Sequence, residues 1–293
     1  MLRVVLLAFV FGFTTMCKAQ VNTVVPDAKG NIMLLGKVNK KGFNDIDFPW
    51  FKKNYDEYLT NDKIIDRLKD KLRDYQIKVF FGSWCGDSKR NLPIFYKVLD
   101  EAKFPSRNLE VIAVDIKKEA YKQSPNGEEK GLNIHRVPTF IIYKNGKEVN
   151  RIVECPKETF ERDLLKIVND EKYTSKYSAV TLLNNLLKNP VDSVQKMEKQ
   201  LLAYLPEVTT GAKELNTYGN VLLRKKQYDK AEYIFKLNIK LYPNHYVTYS
   251  SLGSFYHEQK RYTEALEVLY KSLSLNPKNQ KVKDLINEIN KSL

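Results

Sequence analysis

Cys85 is the residue best placed to make or break a covalent bond. The apolar run Ile77 to Phe81 reads as a buried strand and Gly82 breaks it. Ser83-Trp84-Cys85-Gly86-Asp87-Ser88-Lys89-Arg90 then opens a helix expected from about Cys85 to Ala102, kinked by Pro93. A thiol at a helix N-terminus meets unpaired N–H groups and the positive end of the dipole, which favour an anion. Such a setting makes thiolate available near neutral pH. Lys89 and Arg90 push the same way, and Asp87 pushes against it. Ser88, three residues on, can hydrogen-bond a thiolate but cannot attack a mixed disulfide. Cys155 is the second candidate, just before a helix expected to open near Pro156. It could resolve Cys85, pair with it in a structural or regulatory disulfide, or simply fill a turn as a small apolar residue.

The elements that must position these thiols follow from apolar periodicity. Residues 20–44 carry turn glycines (Gly30, Gly36, Gly42) and room for a short extended pair. Pro49 to Tyr58 is an aromatic-rich helix that packs as core. Asn61 or Asp62 caps a helix through Ile64, Ile65, Leu68 and Leu72. Leu109 to Ile116 is a second strand, and residues 117–133 are polar, with a turn at Pro125-Asn126-Gly127. Thr139 to Tyr143 and Glu148 to Val153 are two strands joined by Lys144-Asn145-Gly146-Lys147, a hairpin. The alternation of helices and strands implies an α/β layer with a mixed sheet.

After Lys172 only helical patterns remain. Gly219, Tyr228, Ala231, Leu241 and Pro243 recur 34 residues later as Gly253, Tyr262, Ala265, Leu275 and Pro277. That is the tetratricopeptide period, with small residues where helices cross and Pro at the repeat end. The repeats are placed at about 212–245 and 246–279, with Val282, Leu285, Ile286 and Ile289 in a capping helix. Helices between Lys176 and Leu205 complete the stack. His245 and His257 fall in these repeats as surface or packing residues.

The Trp84-Cys85-Gly86-Asp87-Ser88 turn after a strand, together with the distant Val137-Pro138-Thr139 at the start of another, resembles the thioredoxin superfamily over about residues 60–170. The resemblance implies a thioredoxin-like α/β sandwich in which Pro138 is cis and lies beside the sulfur. Trp84, Gly86, Asp87, Val137, Pro138 and Thr139 would then line the groove that receives a client's backbone. It also places Cys155 near the cis-proline, and His135 and Arg136 either in the groove or in solvated loop. The departures are as informative. Ser88 replaces the family's second cysteine. The buried Asp and the neighbouring Lys of its redox-active members correspond to Val79 and Ala113. A fast general disulfide reductase is therefore not expected.

The expected organisation is a secretory signal at residues 1–19, an extension at 20–60, the thioredoxin-like domain at 61–172 and an all-α tetratricopeptide-repeat domain at 173–293. The signal rests on Arg3, the apolar run Val4 to Phe13, and Cys17-Lys18-Ala19 before a cut at Gln20. Lipidation at Cys17 is the rival, against which Met16 is a poor match. The expected protein is exported to the periplasm, with no integral membrane segment once mature. The 49 Lys and Arg against 35 Asp and Glu give +14, but only ten are Arg and none cluster, so no nucleic-acid partner is expected. Three scattered His and three Cys cannot make a standard zinc site, and no metal or cofactor is expected. Three functions remain: thiol–disulfide exchange on cysteine-containing protein clients through Cys85, client binding by groove and repeats without catalysis, and a redox-inert scaffold. The repeats would take a peptide or protein ligand.

Overall fold

The computed structural model describes residues 20–293; the expected signal and Cys17 lie outside them. Strands β1 (Thr23–Pro26), β2 (Ile32–Val38), β3 (Tyr75–Phe81), β4 (Leu109–Ala113), β5 (Thr139–Lys144) and β6 (Lys147–Val153) form one sheet in the order β1-β2-β4-β3-β5-β6. Only β3 and β4 run parallel; the other neighbours are antiparallel. The extended pair expected before residue 44 thus belongs to the same sheet, through pairing of β2 with β4. The β5–β6 hairpin turns on Asn145 and Gly146, with φ 52° and 73°. Two consecutive left-handed residues suit the right-handed twist of the strands.

Alternation along the strands divides the core. Ile77, Val79 and Phe81 join Val111 and Ala113 in a cluster with helices α1 (Pro49–Glu57), α2 (Asp62–Lys71), α3 (Gly86–Glu101) and α4 (Phe160–Val168). Phe80, Ile112, Val114 and Ile141 point to the other face, where Ile134, Val137, Trp84 and Cys85 cover them. All four helices therefore share one cluster. Loop residues between β4 and β5, which include a 3-10 turn at Lys118–Ala120, cover the opposite face. The Asn61 side chain caps α2 by accepting from the Ile64 amide. Helix α3 continues through Pro93. Helix α4 begins at Phe160 rather than near Pro156. The Asp163 carboxylate accepts the amides of Lys157 and Glu158 and so ties residues 156–159 into a turn that Thr159 caps.

The remaining chain is helical: α5 (Ser178–Leu186), α6 (Val191–Gln195), α7 (Glu198–Val208), α8 (Ala212–Arg224), α9 (Tyr228–Leu241), α10 (Tyr246–Glu258), α11 (Tyr262–Leu275) and α12 (Gln280–Ser292). The repeat glycines are explained by close approach. A Cβ at Gly219 would stand 2.6 Å from the Phe235 ring, and one at Gly253 2.6 Å from Leu269. Those helices can cross only where a side chain is missing. Among the described residues no helix is long and apolar enough to cross a membrane.

Candidate functional site

Cys85 caps α3 in extended backbone (φ −88°, ψ 127°), its carbonyl accepting the first helical bond from the Lys89 amide at 2.9 Å. Its thiol donates to the Val137 carbonyl at 3.3 Å, and the Val137–Pro138 peptide is cis, as the resemblance implied. Cys85 is half-buried and free. The turn around it is tied down on three sides. The Trp84 indole N–H donates to the Val114 carbonyl at 3.0 Å. Ser83 Oγ accepts the Leu34 amide at 2.9 Å, and Ser88 Oγ accepts the Gly82 amide at 3.2 Å. A Cβ at Gly82 would meet the Trp84 ring at 2.5 Å, so the indole packs flat on bare backbone there. Ser88 is 0 % exposed. Its hydroxyl is spent on the strand-to-helix turn.

The other positions expected to line a groove divide into open and spent. Gly86 is exposed and Asp87 is half-exposed, the latter 3.9 Å from Arg90. Val137 and Thr139 are buried, and the Thr139 hydroxyl donates to the Arg136 carbonyl at 2.7 Å, closing the loop around Pro138. Val79 and Ala113 are buried and apolar, so the positions of the family's relay pair carry no titratable group.

His135 and Arg136 are neither groove-lining nor solvated. His135 is 1 % exposed, its ring edge-on to Tyr177 and Tyr218 of the helical region. Burial, with the neighbouring Lys122 charge, holds the imidazole well below the usual histidine range. Arg136 pairs with Glu154 at 3.2 Å, donates to the Lys213 carbonyl at 3.3 Å, and lies over the Tyr177 ring. Glu154 also accepts from the Tyr177 hydroxyl. The helical region therefore docks on the cis-proline loop. A second crossing contact pairs Lys118 with Glu258 at 3.0 Å, on a carboxylate that Arg224 holds bidentately at 2.6 and 2.8 Å.

Cys155 lies next to this junction, and the Glu154 amide donates to the Pro138 carbonyl at 2.7 Å. Its sulfur, however, faces Lys176, whose Nζ stands 2.9 Å away, and it is free. The two thiols flank one loop without bonding to each other.

Two groups near Cys85 were not legible in the sequence. Tyr121 packs 6.0 Å from the Trp84 ring, and burial together with the Cys85 sulfur raises its hydroxyl pKa. Lys122 is 4 % exposed and donates to the His135 carbonyl at 2.5 Å. Both lie in the polar stretch 117–133, where periodicity carries no signal.

Residues 50–166 match the family model described as Thioredoxin, and residues 246–279 match the Tetratricopeptide repeat model. The chain carries a thioredoxin-like domain followed by a tetratricopeptide repeat. Its similar proteins include Thioredoxin H2 of Arabidopsis thaliana, 28% identical over 88 residues (30% of this chain, 59% of that protein). Thioredoxin H-type of Oryza sativa subsp. indica is 28% identical over 89 residues, 30% of this chain and 65% of that protein. Thioredoxin of Malassezia sympodialis is 31% identical over 74 residues, 25% of this chain and 63% of that protein. The chain thus spans about three fifths of the length of these relatives. The thioredoxin-like domain supplies a redox-type fold, and the repeat supplies a surface of the kind that binds protein. Among the described residues, no group of three or more His, Cys, Asp and Glu could hold a metal ion.

Proposed function

We propose that this protein is exported, as residues 1–19 suggest, and performs thiol–disulfide exchange on cysteine-containing protein clients through Cys85 as single nucleophile. The observation that carries the reading is the position of the Cys85 sulfur. It sits at the N-terminus of a 16-residue helix, half-exposed, against the carbonyl that precedes Pro138. The nucleophile is the thiolate form of that sulfur. It attacks a client disulfide, one S–S bond forms as the client's breaks, and the electron pair leaves on the client's second sulfur. That client thiolate, or another that it frees by attacking a second client disulfide, then attacks the client sulfur of the mixed disulfide, and the electron pair leaves on the Cys85 sulfur, which restores Cys85. This isomerase-like cycle needs no resolving thiol, consistent with a hydroxyl at Ser88 and with Cys155 directed at Lys176. The repeats hold the client or a partner while exchange proceeds.

Reshuffling of a disulfide-scrambled client protein is the test. Wild type is expected to accelerate it and Cys85→Ala to abolish the acceleration; full activity in Cys85→Ala would sink the reading. The buried, apolar Val79 and Ala113 favour a second reading, a client-binding adaptor that captures but does not turn over. Stable mixed disulfides accumulating without reshuffling would select it.

A further inference from the structure

Lys122 is the anomaly of the site: a buried lysine that takes part in no ion pair among the described residues, while the carboxylates at this face serve Arg136 and Lys118. Its backbone is left-handed (φ 59°), a conformation that costs a non-glycine residue and persists where the surroundings impose it. Its amide pairs with the Asp115 carbonyl at 2.9 Å. Its Nζ reaches the His135 carbonyl, two residues from the Val137 carbonyl that receives the Cys85 thiol. The ammonium and the sulfur thus grip the same short loop. We propose that Lys122 is the charge-compensating residue of exchange at Cys85, standing in for the titratable pair absent from Val79 and Ala113.

The proposal rests on the reading of Cys85 as nucleophile. Before attack, the ammonium balances the negative sulfur. On attack, the Cys85–client S–S bond forms, and the electron pair and its charge depart on the client's leaving sulfur, which takes a proton from solvent. The cation then loses its counter-charge, and Lys122 releases a proton to solvent, so the exchange closes with no net proton. Burial, then the Arg136 charge, push the Lys122 amine down to about 7, while the Cys85 sulfur and Glu154 push it up. The other groups facing it are the neutral His135 and the Tyr121 ring, 4.8 Å from Nζ. With this balance, loss of charge at Cys85 moves Lys122 across its titration near neutral pH.

The test is an NMR titration of the full chain carrying 13Cε-labelled lysine, with Lys122 assigned by its loss in Lys122→Arg and Lys122→Met. The midpoint is expected near 7 with Cys85 free, and at lower pH once Cys85 is capped as a neutral methyl disulfide. A midpoint in the ordinary lysine range, about 10.4, or one that capping leaves in place, overturns the proposal. The titration uses wild-type protein, so a variant that misfolds costs only the assignment, which the other variant supplies. In kinetics, Lys122→Met is expected to slow mixed-disulfide formation at neutral pH roughly fivefold and to erase the inflection near 7, with Lys122→Arg restoring rate but not inflection. Should capping move the midpoint while no client disulfide is reshuffled, the exchange reading fails and the charge coupling stands.

Discussion

Cys85 and Cys155 sit on opposite sides of one loop, yet their surroundings differ in kind. Cys85 is held by its own domain: the strand-to-helix turn, the Val137 carbonyl, and a shell of Trp84, Tyr121 and Lys122. Cys155 is held across a junction, with Lys176 at its sulfur and the adjacent Glu154 bound by Tyr177. The difference lies in what each sulfur faces: a helix end and the Val137 carbonyl in one case, a neighbouring domain's side chain in the other. The same loop carries both tasks, since His135 and Arg136 are spent on the helical region while Val137 and Pro138 remain beside Cys85.

The largest effect that separates the two surroundings is electrostatic. Lys122 is depressed from 10.5 in the unfolded chain to about 7 in the fold. Between those values the unfolded chain binds more protons, so stability rises with pH through the window. The cost of burying the charge is fully present below about 7 and relieved as pH approaches 10.5. Chemical denaturation across this range should show wild type gaining a few kcal/mol relative to Lys122→Met. Parallel pH profiles for the two proteins would show that the ammonium is not buried, and would dissolve the contrast between a charged site and a plain interface.

Much of this architecture was legible because it rests on local chemistry. The 34-residue period, the Asn145-Gly146 turn and the Asn61 cap each require particular residues at particular places. The Cys85 turn was legible in its own residues, whereas the cis Pro138 and its place beside the sulfur were legible only through the resemblance carried by two distant motifs. What stayed hidden depends on distant packing. His135 was read as a groove or loop residue because nothing local announces that Tyr177 and Tyr218 will cover it. The α4 start was misplaced because Asp163 reaches back to hold the turn from Lys157. Lys122 lies in a stretch whose polarity looks like solvated loop, although the fold buries it.

A smaller effect sharpens the junction side. Tyr177→Phe removes the hydroxyl from Glu154 while keeping the ring on His135 and Arg136. The expected cost is about 1 kcal/mol, read as faster alkylation of Cys155, with the Cys85 rate unchanged. Equal acceleration at both thiols would mean that the junction and the Cys85 site open as one unit, and the comparison would lose its basis.

The smallest expected effect is also the most discriminating for mechanism. Cys155→Ser keeps nearly the same volume and leaves Lys176 a partner at the same place. Because the Cys155 side chain is half-buried and its sulfur hydrogen-bonds Lys176 alone among the described residues, stability should move by no more than about 0.5 kcal/mol. Exchange through Cys85 should stay within about twofold of wild type, the factor that such a free-energy change allows. A resolving thiol behaves otherwise, since its loss strands the mixed disulfide and stops turnover. Collapse of turnover in Cys155→Ser, with Cys85 capture intact, would require the 154–156 turn to swing Cys155 from Lys176 to Cys85. The Arg136–Glu154 pair that anchors that turn at 3.2 Å would then have to break in every cycle.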